Sequence, residues 1–270
     1  MLSVNKRSFF TRTIYRIIML CCLVLPNLTF ASTAQPWQST SFIINSFFET
    51  VLGSEYASGG LSVKKWSGTV KIYVAHQVAD TKLHNKLLNA QIADLRALTG
   101  LKIIRVKSKK EANIQYYFTS QRKLPALVRA TVGPQSLQYL KSAVCLATMK
   151  AKNSGDIQSA MIYIPVDQAR MHAKLLSCIV EEITQTMGIP RDSDAVYPSI
   201  FNDKTPNSYL TGLDVVLLKL LYSPEVKQGM GKAQLKPVLT SLIAKMRREG
   251  VIARANSDAR SLKVCRIAGC

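Results

Sequence analysis

The stretch that decides the fold is LLSCIVEEITQTMGIP, residues 175–190. Apolar side chains recur in it at helical spacing, so the pattern predicts a buried helix. Gly188 suits the left-handed residue that ends a helix, and the proline two positions later cannot continue one. Inside this apolar helix stand two adjacent carboxylates, Glu181 and Glu182, with Gln185 one turn further on. Buried charge is costly unless it is paired or binds something, so we expect this helix to carry the site.

The first residues of the chain have the layout of a secretory signal peptide. Basic residues precede an apolar run over 17–25, and small residues follow between Ala31 and Ala34. This order is typical of a leader cleaved near Ala31 or Ala34, and the run is too short to span a bilayer comfortably. The sequence therefore predicts a signal peptide over 1–34, followed by a periplasmic or secreted chain without a transmembrane span.

The chain is strongly basic, with a formal net charge of +20 at pH 7. Such a balance favours anionic surfaces, among them lipid headgroups, cell-wall polymers and acidic proteins. Because the charges are spread along the chain, a solvated basic surface is the first interpretation. An anionic envelope component or protein is the alternative partner, and the charge is most concentrated at 107–110 and 245–266. No specific nucleic-acid binding is predicted.

Four cysteines lie outside the predicted leader: Cys145, Cys178, Cys265 and Cys270. An even number in an exported chain predicts disulfides, and four cysteines allow three pairings. The simplest pairing joins Cys145 to Cys178 and Cys265 to Cys270. The first bond would tie the 175–190 helix to an upstream strand by closing a loop of about 34 residues, which is worth roughly 3–4 kcal/mol in the chain-entropy model.

Periodic apolar residues divide the rest of the chain into strands and helices. One long helix is predicted from Asp167, as its N-cap, to Met187. In a second strong helix Thr211 is the cap and Asp214 stands three residues later. Strands are predicted near 70–74, 101–106, 112–118, 142–149 and 160–165, and helices over 41–56, 81–99, 167–187, 211–223 and 234–250. The region 124–140 is predicted to include a short helix that is interrupted at Gly133.

The spacing of Glu181, Glu182, Gln185 and Gly188 has the frame of the zinc-binding sequence H-E-x-x-H-x-x-G. In that frame two ligands four residues apart project from one helical face. The glutamate between them polarises a zinc-bound water. The frame alone is a weak signal, and its weight depends on the segments that follow it.

Those later segments follow the order found in metzincin-type zinc peptidases. Ser199-Ile200-Phe201 resembles the methionine turn of that family, with phenylalanine in place of the methionine, and residues 210–222 resemble the helix after the turn. The resemblance covers roughly 66–222. More narrowly, the chain resembles an exported bacterial family known as domain of unknown function 2927. That resemblance implies fold and export, and no particular activity.

The resemblance also implies the organisation of the chain. The signal peptide over 1–34 is followed by a leader and helix over 35–65, a zincin-like domain over 66–230, and a C-terminal helix with a basic tail over 231–270. The expected fold class is α/β (α+β). In the zincin-like arrangement, a small twisted mixed sheet packs on helices, with a long central helix and a helical C-terminal part.

The chain departs from the metzincin pattern at the metal ligands. Glu181 and Gln185 stand where that family has its first two histidines, and Arg191 stands at the third position, beside Asp192. A neutral glutamine is a poor zinc ligand, and arginine cannot bind zinc at all. Glu182 keeps the identity of the catalytic glutamate. We therefore predict no metal or other cofactor at this site, and zinc least of all.

An all-oxygen site is the alternative to an empty one. Carboxylate and amide oxygens suit calcium or magnesium, and the chain offers four of them near the helix end. Against this stands a simpler interpretation, in which Glu181 or Glu182 pairs with Arg191 or another base. The oxygen ligands would be Glu181, Gln185, Asp192 and Asp194.

A histidine ligand would have to come from outside the helix. His172 lies nine residues before Glu181, which is about 13.5 Å along a helix axis, too far to share a metal with Gln185. His76 and His84, which flank the first strand and the next helix, are left as the remaining histidines.

Three functions follow from these residues. The first is a catalytically degenerate peptidase relative that acts as a binding or structural module at the cell envelope. The second is a divergent metal-dependent hydrolase with Glu182 as its general base. The third is a basic envelope-binding protein, in which the tail after Gly250 matters more than the cleft. Whether the chain is an enzyme stays open, and zinc peptidase activity of the usual kind is not expected.

Overall fold

The computed structural model describes residues 35–53, 61–141, 143–204 and 207–270. The predicted signal peptide lies outside these residues. Residues 35–270 form one structural unit, and that unit is described below.

Five described strands form one mixed sheet: β1 (Val70–His76), β2 (Ile103–Val106), β3 (Ile114–Thr119), β4 (Leu146–Ala151) and β5 (Ile157–Pro165). Their order is β2-β1-β3-β5-β4. Strands β2, β1, β3 and β5 run parallel, whereas β4 pairs antiparallel with β5 at one edge. The mixed sheet and the helices around it confirm the predicted α/β class.

The helices connect the strands and build the C-terminal part. They are α1 (Thr40–Val51), α2 (Thr81–Thr99), α3 (Leu124–Thr131), α4 (Val166–Met171), α5 (Leu175–Gln185), α6 (Gly212–Leu221), α7 (Lys232–Arg248), α8 (Val251–Ser261) and α9 (Lys263–Ala268). Short 3-10 helices lie at Pro36–Gln38, Lys109–Glu111 and Pro134–Lys141. None of the helices in the described ranges is both long enough and apolar enough to cross a membrane.

The two faces of the sheet are covered differently. On one face Ile72, Ile114 and Phe118 are buried in the main core, which also contains the apolar sides of α2, α5 and α6. On the other face Tyr117 and Tyr163 stack, with ring centroids 5.6 Å apart, and residues of α3 pack against them. Helix α5 contacts both β5 and α2. The apolar side of the 175–190 stretch is therefore part of the main core.

The structure corrects the predicted long helix over 167–187, which is divided into α4 and α5. Ala173 adopts the left-handed conformation, with a φ of 55°. The amide of Lys174 then donates to the carbonyl of Ala169 at 2.7 Å, which closes α4 in the manner of a Schellman turn. Glycine is the usual residue at such a position. An alanine there carries no helix-ending signal in the sequence.

The structure also corrects the predicted basic tail after Gly250, because this segment forms α8 and α9. Asp94 of α2 accepts hydrogen bonds from the backbone amides of Lys263 and Val264, at 2.8 and 2.9 Å. These bonds satisfy free donors at the start of α9. Apolar side chains between the basic residues are buried in the core, namely Val251, Ile252, Ala255 and Val264.

The disulfides follow the simplest of the three pairings. Cys145 is bonded to Cys178, and Cys265 to Cys270. The first bond fastens the segment before β4 to α5, and both of its cysteines are buried. The second bond closes the last turn of the chain, where Cys270 is exposed.

Candidate functional site on helix α5

Helix α5 is held in the core by its apolar side and by one polar contact. Ile179, Val180 and Ile183 are fully buried. Gln91 of α2 donates to Oγ1 of Thr184 at 3.0 Å, which joins the two helices through buried side chains. Because α5 is fixed along its length, its polar side chains have defined positions.

The turn after α5 depends on Gly188, as predicted. This residue has a φ of 107°, and a Cβ atom built on it would lie 2.0 Å from the carbonyl oxygen of Lys64. Any other residue would therefore force the backbone apart. The hydroxyl of Tyr222 donates to the carbonyl of Met187 at 2.7 Å. These contacts set the direction in which the chain leaves the helix.

Glu181 is mostly buried among other acids. Burial is the main cause that raises the pKa of its carboxyl well above the usual range, and the charges of Asp192, Glu182 and Asp203 raise it further. Lys174 acts in the opposite direction. Like charges near a buried carboxyl favour its protonated form. Glu181 is therefore at the centre of a group of carboxylates that repel one another.

Gln185 belongs to the same group. Its Nε2 donates to Oδ1 of Asp192 at 3.0 Å, so two of the predicted ligand positions are joined by a hydrogen bond. Asp194, the fourth predicted oxygen ligand, instead pairs with Nζ of Lys204 at 2.8 Å. The structure therefore brings together Glu181, Gln185 and Asp192. We call these three residues, with Asp203, the acidic group.

Arg191 is engaged with α1. Its Nη1 lies 3.5 Å from Oε2 of Glu49, and a Cβ atom on Gly53 would lie 2.3 Å from Cδ of Arg191. Glycine at position 53 thus makes room for the arginine stem. Among the described residues, the ion pair of Arg191 is formed with Glu49 of α1. The interpretation in which a base pairs with Glu181 or Glu182 stays a prediction.

Glu182 acts on Tyr116 of the sheet as well as on Glu181. It is buried, and its charge raises the pKa of Tyr116 on β3, after the larger effect of the burial of that phenol. The hydroxyl of Tyr116 has no hydrogen-bond partner among the described residues. Neighbouring residues of a helix are rotated by about 100°, so Glu181 and Glu182 leave α5 in different directions.

The turn Ser199-Ile200-Phe201 is anchored by Asp214 near the start of α6. The carboxylate of Asp214 accepts from Oγ of Ser199 at 2.6 Å and from the amides of Ile200 and Thr211 at 3.0 and 2.8 Å. Burial raises the pKa of Asp214, and these hydrogen bonds lower it. The predicted capping box of Thr211 and Asp214 is confirmed. The same carboxylate also holds the preceding turn.

His76 and His84 lie beside each other, with ring centroids 5.9 Å apart. The charges that act on the pKa of His84 belong to His76, Arg170 and Asp80. Those that act on Glu181 belong to a different set of side chains. The two histidines therefore form a second polar cluster, separate from the acidic group.

The acidic group offers hydrogen-bond acceptors from three carboxylates near the end of α5, those of Glu181, Asp192 and Asp203. Within the described ranges, no three or more His, Cys, Asp or Glu side chains are placed so that they could hold a metal ion. Ionised carboxylates only accept hydrogen bonds, so the natural complement is a cationic donor group. Such a cation would also relieve the repulsion among the acids.

Tyr116 and Asp203 act at this site without having been predicted from the sequence. The charge of Glu182 acts on Tyr116, although the strand of Tyr116 lies far away in the sequence. Asp203 follows the Ser199-Ile200-Phe201 turn and acts on Glu181 only because the chain folds back. No periodic pattern marks either residue.

The family model described as Protein of unknown function (DUF2927) matches residues 40–241 of the chain. This range includes α5, the turn after it and α6. No curated protein matches the chain.

Proposed function

The chain belongs to the family of proteins of unknown function DUF2927, and we propose that it is an exported envelope protein with a metallopeptidase-like fold. In this proposal the α5 site is a binding or structural module and not a zinc peptidase site. The acidic group takes a cationic group from a protein partner, such as a lysine or arginine side chain.

Several features support the metallopeptidase-like part of the proposal. The mixed sheet has one antiparallel edge strand, β4, beside β5. Helix α5 carries the Glu181-Glu182-x-x-Gln185 frame and ends in a turn that requires Gly188. The Ser199-Ile200-Phe201 turn follows and is bonded to the next helix. The order of these pieces along the chain is the order that the sequence resemblance implies.

Export is supported by the leader and by the cysteines. The basic, apolar and small-residue order over 1–34 is that of a cleaved signal peptide. Disulfides such as Cys145–Cys178 persist in oxidising compartments and are rare in the cytosol. Both observations favour a periplasmic or secreted protein.

The observation that carries the binding proposal is the environment of Glu181. Burial and the neighbouring carboxylates raise its pKa, so the ionised form is held at a cost in free energy. A cation that enters the group offsets that cost and displaces the proton. Because the chain as a whole carries a charge of +20, a cationic partner is repelled elsewhere on the surface. In this basic chain, the acidic group is therefore a selective site for a cationic partner.

A peptide-binding measurement tests this proposal. A short fluorescent arginine peptide is titrated with the mature chain, and its anisotropy is recorded at low and physiological salt. We expect the double variant Glu181→Gln/Asp192→Asn to bind at least about tenfold more weakly, since two of the three carboxylates of the group are lost. Glu111→Gln, an exposed acid outside the group, is the matched control. Equal affinity of wild type and the double variant would overturn the proposal.

The divergent hydrolase is tested by metal binding and by Glu182. The binding module predicts no stoichiometric zinc in calorimetric titrations, and calcium and magnesium are titrated in the same way. One zinc per chain that is lost in Glu181→Ala and Gln185→Ala would favour the hydrolase. Peptide hydrolysis that is abolished in Glu182→Gln, with folding unchanged, would place that residue as the general base.

A second function is favoured by the basic surface at the end of β2. Lys107, Lys109 and Lys110 are exposed in the turn between β2 and β3. Within the described residues none of the ion pairs involves them. These lysines, which we call the β2-end lysines, offer an unneutralised positive surface. We propose that it contacts an anionic envelope component, such as phospholipid headgroups.

Charge reversal tests this surface better than truncation does, because α8 and α9 are part of the core. Wild type and Lys107→Glu/Lys109→Glu/Lys110→Glu are sedimented with phosphatidylglycerol vesicles at increasing salt. We expect the triple variant to lose most of its binding, and the wild-type binding to fall with salt. Lys236→Glu/Arg248→Glu/Arg260→Glu is the control with equal charge change. Binding that falls equally in both variants would show that only net charge matters.

A further inference from the structure

Three aromatic rings stack where the start of α2 meets the ends of β1 and β3. The ring of Phe118 lies 4.5 Å from that of His84 and 5.0 Å from that of His76, between centroids. The three rings are nearly parallel, with interplanar angles of 10° or less. His84 is fully buried. The first turn of α2 is therefore packed on the sheet through a histidine ring.

Most of the histidine nitrogens in this stack lack a hydrogen-bond partner among the described residues. Both ring nitrogens of His84 and Nδ1 of His76 are buried without a hydrogen-bond partner among the described residues. Nε2 of His76 lies 3.3 Å from Oδ1 of Asn85, and the same oxygen accepts from Nη1 of Arg105 at 2.6 Å. Asn85 therefore acts as an acceptor, so Nε2 of His76 carries the proton and Nδ1 is bare.

The charges around His84 do not favour a second proton. Arg170 of α4 and His76 of β1 oppose its positive form, and Asp80 before α2 favours it. Asp80 is itself paired with Arg170 at 2.5 Å, which weakens its stabilisation of a protonated His84. Burial is the largest cause that lowers the pKa of His84. Burial is also the main cause that lowers the pKa of His76; the hydrogen bond with Asn85 raises it, and the charge of Arg105 on β2 lowers it further.

A protonated imidazole needs acceptors for two N–H groups, and a buried one is costly without them. Around His84 lie the stacked rings of His76 and Phe118, and among the described residues neither ring nitrogen of His84 has a hydrogen-bond partner. The carboxylates of α5 act on one another and on Tyr116, and not on His84. The neutral ring fits this position, and the charged ring can be accommodated only if the start of α2 moves away from the sheet.

We propose that the stack of His84, His76 and Phe118 makes the attachment of α2 to the sheet sensitive to acid. While His84 is neutral, the first turn of α2 packs on β1 and β3. Uptake of a proton requires this turn to open toward water, and the ion pair between Asp80 and Arg170 opens with it. This response to acid occurs in the pH range where histidine titrates, and it requires no ligand.

The direction of the effect follows from linkage. The pKa of His84 is lowered in the folded chain, so the unfolded chain binds the proton first as the pH falls below about 6.5. The contribution of His84 to stability is fully present above that value and is lost progressively as the pH falls below it. At about pH 5 the unfolding equilibrium constant can rise up to about 30-fold from this residue alone, relative to about pH 7.5.

The chain has three histidines, which makes the test sharp. Urea unfolding of the mature wild type, His84→Phe and His172→Gln is measured between about pH 7.5 and pH 5, where the unperturbed histidine titrates. We expect the increase in the unfolding constant toward acid to be largely lost in His84→Phe. His172 is exposed, and His172→Gln should keep the wild-type response. The titration of carboxylates is common to all three chains and cancels.

Two measurements on the wild type keep the test decisive if His84→Phe does not fold. The ring protons of His84 should titrate below about pH 6.5 in NMR spectra. Amide exchange over 81–88 should speed up in acid, after correction for the intrinsic rate, more than exchange over 89–99. The proposal is overturned if His84 titrates at or above the ordinary value, or if wild type and His84→Phe respond to pH alike.

Discussion

The fold treats two desolvated carboxylates differently: Asp214, which is fully buried, and Glu181, which is partly buried. Asp214 accepts hydrogen bonds from the hydroxyl of Ser199 and from two backbone amides, so its charge is satisfied inside the core. Glu181 is surrounded by Asp192, Glu182 and Asp203, so its charge is opposed. Both groups are desolvated, and the difference lies in the partners that surround them.

This difference separates a structural acid from an acid available to a ligand. A carboxylate that accepts several donors fixes the backbone that supplies them, and Asp214 fixes the turn before α6. A carboxylate among like charges gains when a cation arrives. We therefore expect substitutions at the two positions to change stability in opposite directions.

The largest effect is expected for Asp214→Ala. It leaves the hydroxyl of Ser199 and the amides of Ile200 and Thr211 without their acceptor inside the core, and it removes the capping box. Unsatisfied buried donors and a lost cap should together lower the free energy of unfolding by roughly 3–5 kcal/mol. Urea unfolding near neutral pH measures this loss.

Asp258→Ala is the control for that variant, because Asp258 is partly exposed and forms surface ion pairs with Lys219 and Arg254. Its loss should be at most about 1 kcal/mol. If Asp214→Ala costs no more than Asp258→Ala, the distinction between the two desolvated carboxylates fails.

The second largest effect is expected for Glu181→Gln, which should raise the free energy of unfolding. Glu181 has a raised pKa in the folded chain, so its contribution to stability is full below the unfolded value of about 4.3 and is lost as the pH rises through the folded value. Glu181→Gln removes this loss. The variant should therefore become progressively more stable than the wild type between about pH 5 and pH 8, as measured by urea unfolding at each pH. A variant that is less stable than wild type at the alkaline end would contradict the account.

The smallest effect is expected for Tyr116→Phe beside Glu182. The phenol oxygen is buried without a hydrogen-bond partner in the part of the chain that the structure describes, so its removal should change stability by less than about 1 kcal/mol in either direction. Tyr222→Phe is the matched variant, because that hydroxyl donates to the carbonyl of Met187 at 2.7 Å. Its loss should cost more, about 1–3 kcal/mol. Equal melting temperatures of the two variants would show that the bond of Tyr222 adds nothing.

Local patterns in the sequence predict much of this fold. The helix over 81–99 is found with those bounds, because its apolar spacing and Gly100 are both local signals. The capping box of Thr211 and Asp214 is also a local signal, because its two residues stand three positions apart. Gly188 could be predicted because a left-handed turn favours glycine.

Other features depend on distant residues and had no local signal. The break at Ala173 uses an alanine where glycine is usual. Arg191 finds Glu49, which lies more than a hundred positions earlier. The acidic group could be predicted in part from Glu181, Gln185 and Asp192 on one helix and its turn. Asp214 accepts hydrogen bonds from a separate turn, that of Ser199 and Ile200. These donors could not be assigned to Asp214 from sequence spacing alone.

The most direct test of the account is the titration of Glu181 itself. The carboxyl carbon of Glu181 is followed by NMR in wild type and in Asp192→Asn, which keeps the shape of the partner and removes one negative charge. We predict a wild-type pKa above the ordinary value of about 4.3, and a lower value in the variant. A wild-type pKa at or below that value, unchanged by Asp192→Asn, would contradict the claim that Glu181 is held among like charges.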